Sequence, residues 1–250
     1  MIALFKSHYS IGKSILTLEH PDKCEEDGPD SVFEITQGKL DKIVLVEDSL
    51  IGFLQSQKVA ESLGVQVIFG LRISCSHESK TSKDNSCVHK IVIFANNDKG
   101  CIALNKIYSH AFCNNEGVIE FQSLKKMWDD DALTMAVPFY DSFIFMNSMH
   151  FCNCMPDFSF TKPHFFLENN HLPFDNHIRS KVKSYCEEYG FESSEAKSIY
   201  YNTIKDFEAY QTYKCICSKK FKQRTLNVPN FDHLSSPEFS FESYLQNEVS

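Results

Sequence analysis

The sequence predicts an α/β protein in which parallel strands close into a barrel with helices outside it. Three observations lead there. Residues 42–73 read as strand, helix and strand within about thirty residues, the length of a parallel βαβ unit. The alternation of strand and helix then continues to about residue 190, which specifies α/β layering. Finally, the chain has 250 residues, 42% hydrophobic and 23% charged. That is enough to bury a core without disulfide or metal staples, and a barrel is the economical closure at this length.

Taken in order, residues 42–48 are a short apolar run ending in Glu47 and Asp48. Leu50, Phe53, Leu54, Val59 and Leu63 follow at helical spacing, and Gly64 stops that helix. Residues 65–73 are again apolar and β-branched, hence a strand. A polar insert at 76–86 reads as a mobile loop, and 89–95 as the next strand. Asn96 to Gly100 supply a turn and an N-cap for a helix over 101–112, with Ile102, Leu104, Ile107 and Tyr108 inward. Residues 123–128 begin another helix, while 133–137, 142–146 and 164–167 are short strands. An amphipathic helix over 174–189 is closed by Gly190. Residues 202–218 are helical, with Ile204, Phe207, Tyr210 and Ile216 on one side. The remainder, 221–250, is an extended tail whose Phe231, Phe239, Phe241 and Tyr244 are too many aromatics for a solvated linker, so it is expected to dock on a partner or back on the barrel.

Charge and composition narrow the function. There are 33 acidic and 25 basic residues, for a formal charge of −8, and the only arginines are Arg72, Arg179 and Arg224. A protein that held duplex DNA by itself would carry a basic footprint, so only a local basic patch survives that objection. No window holds 18 uninterrupted apolar residues, which excludes a spanning helix. The opening residues lack a basic segment leading into an apolar one, so the expected location is the cytoplasm, with the ten cysteines mostly free thiols. Cys152 and Cys154, near His150, and Cys215 and Cys217 are spaced too closely for the usual zinc pairs. No Gly-rich phosphate loop, nucleophile elbow or paired helical histidines mark an active site.

The order of segments resembles the PHP (polymerase and histidinol phosphatase) domain of bacterial DNA polymerase III alpha subunits. The residues that carry the resemblance are Ser7-His8-Tyr9-Ser10 with residues 11–18, similar to the family's opening strand and Tyr-Ser turn, then Ile51-Gly52-Phe53 and residues 60–70. Residues 89–100 with Leu104, Tyr108 and Ser109, then Phe166-Leu167-Glu168, resemble later blocks. Residues 206–211 with Cys215 and Ile216 resemble the passage toward the polymerase palm. The resemblance implies a distorted (β/α)7 PHP-type barrel with a C-terminal helix and extended tail, divided as a barrel over 1–201 and a helix and docking tail over 202–250. It also implies a metal cleft at the C-terminal ends of the strands.

The departures from the family pattern decide the expected chemistry. Aligned on Tyr9 and Ser10, the family's paired opening histidines fall on Leu4 and Lys6, its Gly-x-Glu glutamate on Arg72, and its late Asp-x-His pair on Lys197 and Ile199. Only Asp48 or Glu47 retains an oxygen ligand. Leucine and cations cannot replace lone-pair donors around a divalent ion. The expected chain is therefore without metal, cofactor or catalytic residues, with Lys6, Arg72 and Lys197 converging at the barrel mouth on acids such as Glu47, Asp48 or Glu195. Arg72 is the expected centre, since a guanidinium bridges two carboxylates.

The function so implied is a non-catalytic PHP-domain subunit of a replicative DNA polymerase, scaffolding a separately encoded polymerase fragment. DNA would be touched only indirectly and no membrane is involved. The free-standing form suits a viral or mobile-element source. The alternative is a metal-dependent phosphoesterase or 3′–5′ proofreading exonuclease using Asp48, Glu47, His8 and Glu168. A third reading is a decoy that binds a host replication protein.

Overall fold

The computed structural model describes residues 1–76, 88–217 and 236–249. The insert expected at 76–86, except for Ser76, and Phe231 of the tail lie outside the described residues. Strands β1 (Ile2–Phe5), β2 (Lys42–Glu47), β3 (Gln66–Ser76), β4 (Val88–Ala95), β6 (Leu133–Val137), β7 (His164–Leu167) and β8 (Ser193–Ile199) form a ring in the order β2-β1-β8-β7-β6-β4-β3, closed by pairing of β2 with β3. A short β5 (Val118–Glu120) pairs beside the end of β3, outside the ring. Helices α1 (Val32–Thr36), α2 (Phe53–Leu63), α3 (Asp98–Asn114), α4 (Phe121–Met127), α5 (Phe143–His150), α6 (Asp175–Tyr189), α7 (Phe207–Cys217) and α8 (Phe241–Val249) complete the described fold. It is a mixed α/β structure in which a closed seven-stranded barrel is surrounded by helices, the architecture the sequence predicts.

The alternation of side chains across each strand produces two kinds of core. Leu4, Val44, Val46, Val92, Ala136, Phe166 and Ala196 point inward and fill the barrel. The intervening residues, including Phe5, Ile43, Leu45 and Ile199, meet the outer elements. Period-two alternation is what a strand imposes on its neighbours. Gly70, in the middle of β3, is at an inward position, and a Cβ there would lie 2.5 Å from the Phe94 ring and 2.9 Å from Val92. Two helix ends are set by glycines in the left-handed conformation, Gly64 at φ 65° and Gly190 at φ 70°, as the sequence predicts.

Four local expectations are corrected. The barrel is not wholly parallel: β4 runs antiparallel to both β3 and β6. An antiparallel pair needs no crossover helix. Residues 142–146 are not a strand. Ser142 accepts a hydrogen bond from the Phe145 N–H (3.2 Å) and caps α5, and a four-residue apolar run alone does not distinguish strand from helix. The opening strand is residues 2–5, while residues 7–13 turn across the mouth with Ser10 N–H donating to the Ser7 carbonyl at 3.0 Å. On the outer helices, Ile102 and Ile216 face solvent, at 58% and 75% exposure.

Strand β8 is illegible as a strand in sequence because it is mostly polar, yet it pairs on both edges, with β1 and β7. The described part of the tail, expected to be extended, contains a 3-10 turn at Pro237–Phe239 and then α8. Phe239 stacks on Tyr200 with centroids 5.2 Å apart, and Phe241 lies 5.5 Å from Phe5. Tyr244 donates to the Met1 carbonyl at 3.2 Å. All three rings are buried by this chain itself, which leaves them no face for a partner. α7 also joins the main core through Tyr210.

Gly70→Ala should overpack the barrel against Phe94 and Val92 and destabilise the protein by about 1–3 kcal/mol. A lowered urea midpoint with unchanged slope is the expected measurement. An unchanged midpoint would mean that Phe94 moves aside freely.

Candidate functional site

The inward positions just past β1 and β2, and the position level with them inside the longer β3, bring Lys6, Asp48 and Arg72 together. Lys6 Nζ lies 3.1 Å from Asp48 Oδ1, and an Arg72 guanidinium nitrogen lies 3.7 Å from the same oxygen. On its other side Arg72 pairs with Asp141 at 2.6 Å and donates to the Tyr140 carbonyl at 3.4 Å. Arg72 thus lies between two carboxylates. Lys90, opposite Ser74 in the β3–β4 register, donates to the Ser74 hydroxyl at 2.7 Å, while its backbone N–H donates to the Asp141 carbonyl at 2.7 Å.

Sequence reasoning missed Asp141 and Lys90. Asp141 has φ 60°, a left-handed conformation that aspartate tolerates better than most residues. The only signal for it was a polar residue after an apolar strand, which turns share generally. Lys90 sits in an antiparallel strand, and its approach to Arg72 depends on the reversal that the sequence did not disclose.

The cations and acids set one another's protonation. Burial alone would raise the Asp48 carboxyl, but Lys6 and Arg72 hold it well below the usual carboxylate range. Burial pushes the Lys6 ammonium down, opposed by Asp48 and reinforced by Arg72. Lys90 is lowered to about 8, first by burial and then by Arg72 and Lys6, against the pull of Asp48 and Asp141. The Arg72 guanidinium, although desolvated, is held charged by Asp141 and Asp48.

Glu47 and Glu168 are engaged separately. Glu47 is fully buried and accepts from the Ser7 N–H at 2.8 Å and from the Ser10 hydroxyl. The same Ser10 oxygen accepts from the Asp48 N–H at 2.9 Å, which pins the 7–10 turn to the end of β2. Glu168 accepts from the Ser198 N–H (2.9 Å), the Ser198 hydroxyl (2.8 Å) and Asn170 (3.1 Å). Burial pushes both carboxyls up. His8 packs against Tyr9 with ring centroids 4.3 Å apart.

Two of the expected positions lie on the other face of the sheet. Leu4 points into the barrel, but Lys197 and Ile199 point out. Strand β8 presents Ala196 inside the barrel and Ser198 at the mouth, with Tyr200 just beyond. Lys197, 1% exposed, reaches Glu238 of the tail at 3.0 Å. Lys197 therefore does not join Lys6 and Arg72, because an odd-numbered step in a strand crosses the sheet. Glu195 also points away and forms a two-bond pair with Arg179, at 2.8 and 2.6 Å.

These residues do not fit a divalent metal cluster. The inward positions offer Leu4, the cations Lys6, Arg72 and Lys90, a serine and two carboxylates, of which Asp48 is already shared by Lys6 and Arg72 and Glu168 already accepts from Ser198 and Asn170. Among the described residues no group of three or more His, Cys, Asp or Glu side chains is gathered to hold an ion. The cavity bounded by Lys6, Arg72, Tyr140, Glu168, Ser198 and Tyr200 has a volume of about 30 Å³. That is room for a water or two, far below the roughly 300–1,000 Å³ of small-molecule sites. The described cysteines are free thiols, and no described helix is long and apolar enough to cross a membrane.

Comparison with known proteins adds little. No family model matches the chain, and no curated protein matches it in sequence. Among solved structures, a protein from Bifidobacterium adolescentis described as a candidate metal-dependent phosphoesterase superposes with a TM-score of 0.43 at 7% identity, covering 78% of this chain and 87% of that one. At that similarity it assigns neither activity nor ligands here.

Removing Asp48 should strand the buried Lys6 and leave Arg72 with Asp141 alone. Asp48→Ala is expected to cost about 3–5 kcal/mol, the range for breaking a buried pair from one side, measured by denaturant unfolding. A loss under about 1 kcal/mol, the worth of an exposed pair, would show that the mouth is effectively solvated.

The lowered Lys90 gives a pH signature. Between about pH 8 and the ordinary lysine value the unfolded chain binds more protons than the folded one, so stability rises with pH there. Lys90→Met removes that proton exchange. Its stability relative to the parent should therefore fall as pH rises through this window, and a flat difference would place Lys90 in ordinary solvent.

Proposed function

We propose that this chain is a non-catalytic PHP-like barrel that serves as a protein-binding subunit in a replicative DNA polymerase, supporting a separately encoded polymerase fragment. One observation carries the non-catalytic half of this reading: Lys6 and Arg72, at positions where the resembling family places metal ligands, are ion-paired to Asp48 and occupy the mouth. Catalysis by metal-activated water needs lone-pair donors and an open coordination position. A buried guanidinium between two carboxylates supplies neither. The polymerase context is supported by the resemblance of the ordered sequence blocks, from Tyr9 and Ser10 to residues 206–211.

Elemental analysis of the purified protein, joined to phosphoesterase and single-stranded exonuclease assays with manganese and with chelator, tests the first half. Substoichiometric metal and no chelator-sensitive turnover are expected. Bound manganese, zinc or iron with turnover that chelator abolishes would instead establish the phosphoesterase or exonuclease alternative. Affinity purification from the native source tests the second half, with a polymerase catalytic chain as the expected companion. Recovery of a host replication protein in its place would favour the decoy.

Arg72→Glu tests the charge logic directly. It restores the acid of the resembling family but crowds like charges beside Asp48 and Asp141, so thermal stability should fall in metal-free buffer. Recovery on adding manganese is expected only if the acids can reach a common ion. Unchanged stability without metal would mean that the arginine does not hold the mouth together.

A further inference from the structure

We infer that the outer groove between α3 and α4 is a docking site for an acidic amphipathic helix of a partner protein. This inference rests on the reading that the chain works by binding another protein. Lys99, Ile102 and Lys106 stand at helical spacing on the solvent face of α3, and Lys126 and Met127 of α4 complete a groove of about 470 Å³ with Asp129 at its rim. The opposite face of α3, with Leu104, Ile107 and Ala111, is the one buried in the core. That arrangement leaves Ile102 at 58% exposure although it is large and apolar.

Charge complementarity selects the occupant. The whole chain carries −8, yet this groove brings together three lysines against the single carboxylate of Asp129. None of the three lysines is ion-paired among the described residues, whereas the adjacent Lys125 is engaged by Asp157 at 2.9 Å. The spacing adds a geometric condition. Seven residues of helix separate Lys99 from Lys106, about 10.5 Å along the axis at 1.5 Å per residue. A partner helix with carboxylates at i and i+7 and an apolar residue at i+3 or i+4 presents the same interval on one face, with its apolar side chain over Ile102 and Met127. Helix-in-groove recognition uses such anchors, and flanking charge would fix register and hasten encounter.

The test uses the full-length protein and a synthetic helical peptide with glutamates at i and i+7 and leucines at i+3 and i+4, followed by fluorescence anisotropy and by backbone amide shifts. Binding that weakens as salt rises and shifts centred on residues 99–106 and 126–127 are expected. Charge reversal in Lys99→Glu/Lys106→Glu and, separately, Ile102→Asp should each weaken binding at least tenfold. These positions are exposed, so circular dichroism and the melting temperature should be unchanged in both variants. Failure of the peptide to bind overturns the inference. So does binding that survives Ile102→Asp, because the lysines would then be attracting charge without a docked apolar face. A single-stranded oligonucleotide that displaces the peptide and loses affinity with the same lysine reversal would also overturn it, identifying a nucleic-acid surface. If the peptide fails while a polymerase chain still co-purifies, only the groove assignment falls. If the peptide binds and no polymerase chain is recovered, the groove stands and the polymerase context falls.

Discussion

Inside the mouth of a closed barrel, a charge has few directions in which to find a counter-ion. Lys6 and Arg72 both face this space, with side chains only 6% and 12% exposed, and they share Asp48. Desolvating Lys6 without that carboxylate would be strongly unfavourable. Asp141 reaches Arg72 from the far side, and its backbone carbonyl receives the Lys90 N–H. The order of the mouth therefore depends on a small number of charge contacts that join the ends of β1 and β2 and the interior of β3 to the turn after β6.

Hydrogen bonding extends this order into the surrounding connections. Ser10 ties Glu47 to the backbone of Asp48, so the turn over the mouth is registered against the end of β2. Glu168 does the same for β7 and β8 through Ser198, and Asn170 continues it to Tyr140 at 2.9 Å. Carboxylates that might otherwise serve as ligands are here structural acceptors, satisfied by neighbouring N–H and O–H groups.

On the outside of the barrel the C-terminal segment plays the corresponding part. Phe241 and Tyr244 cover Phe5 and Ile199, and Lys197 is sealed beneath Glu238. A lysine 1% exposed is tolerable only because this pair supplies its counter-charge. Among the described residues, mouth and flank are thus both held by contacts within the chain itself.

Much of this was legible in the residues before any coordinates. The apolar runs at 42–47 and 164–167 and the glycines at 64 and 190 mark strands and helix ends through local physics alone, because period, propensity and φ are properties of a few neighbouring residues. That Lys6 and Arg72 are cations following apolar runs was likewise visible as sequence. Three-dimensional pairing decided the rest. Polar β8 is a strand because β1 and β7 supply its ladder, and β4 is antiparallel because of the way it returns beside β3. Lys197 faces away from Lys6 because pairing register fixes which side of a strand meets the interior. Such choices depend on contacts between residues far apart in the chain, and composition and spacing carry no record of them. The sequence by itself determined the layered α/β class and supplied the charged residues; the tertiary structure alone decided which charges meet at the mouth, since a one-residue change of register moves every side chain to the opposite face.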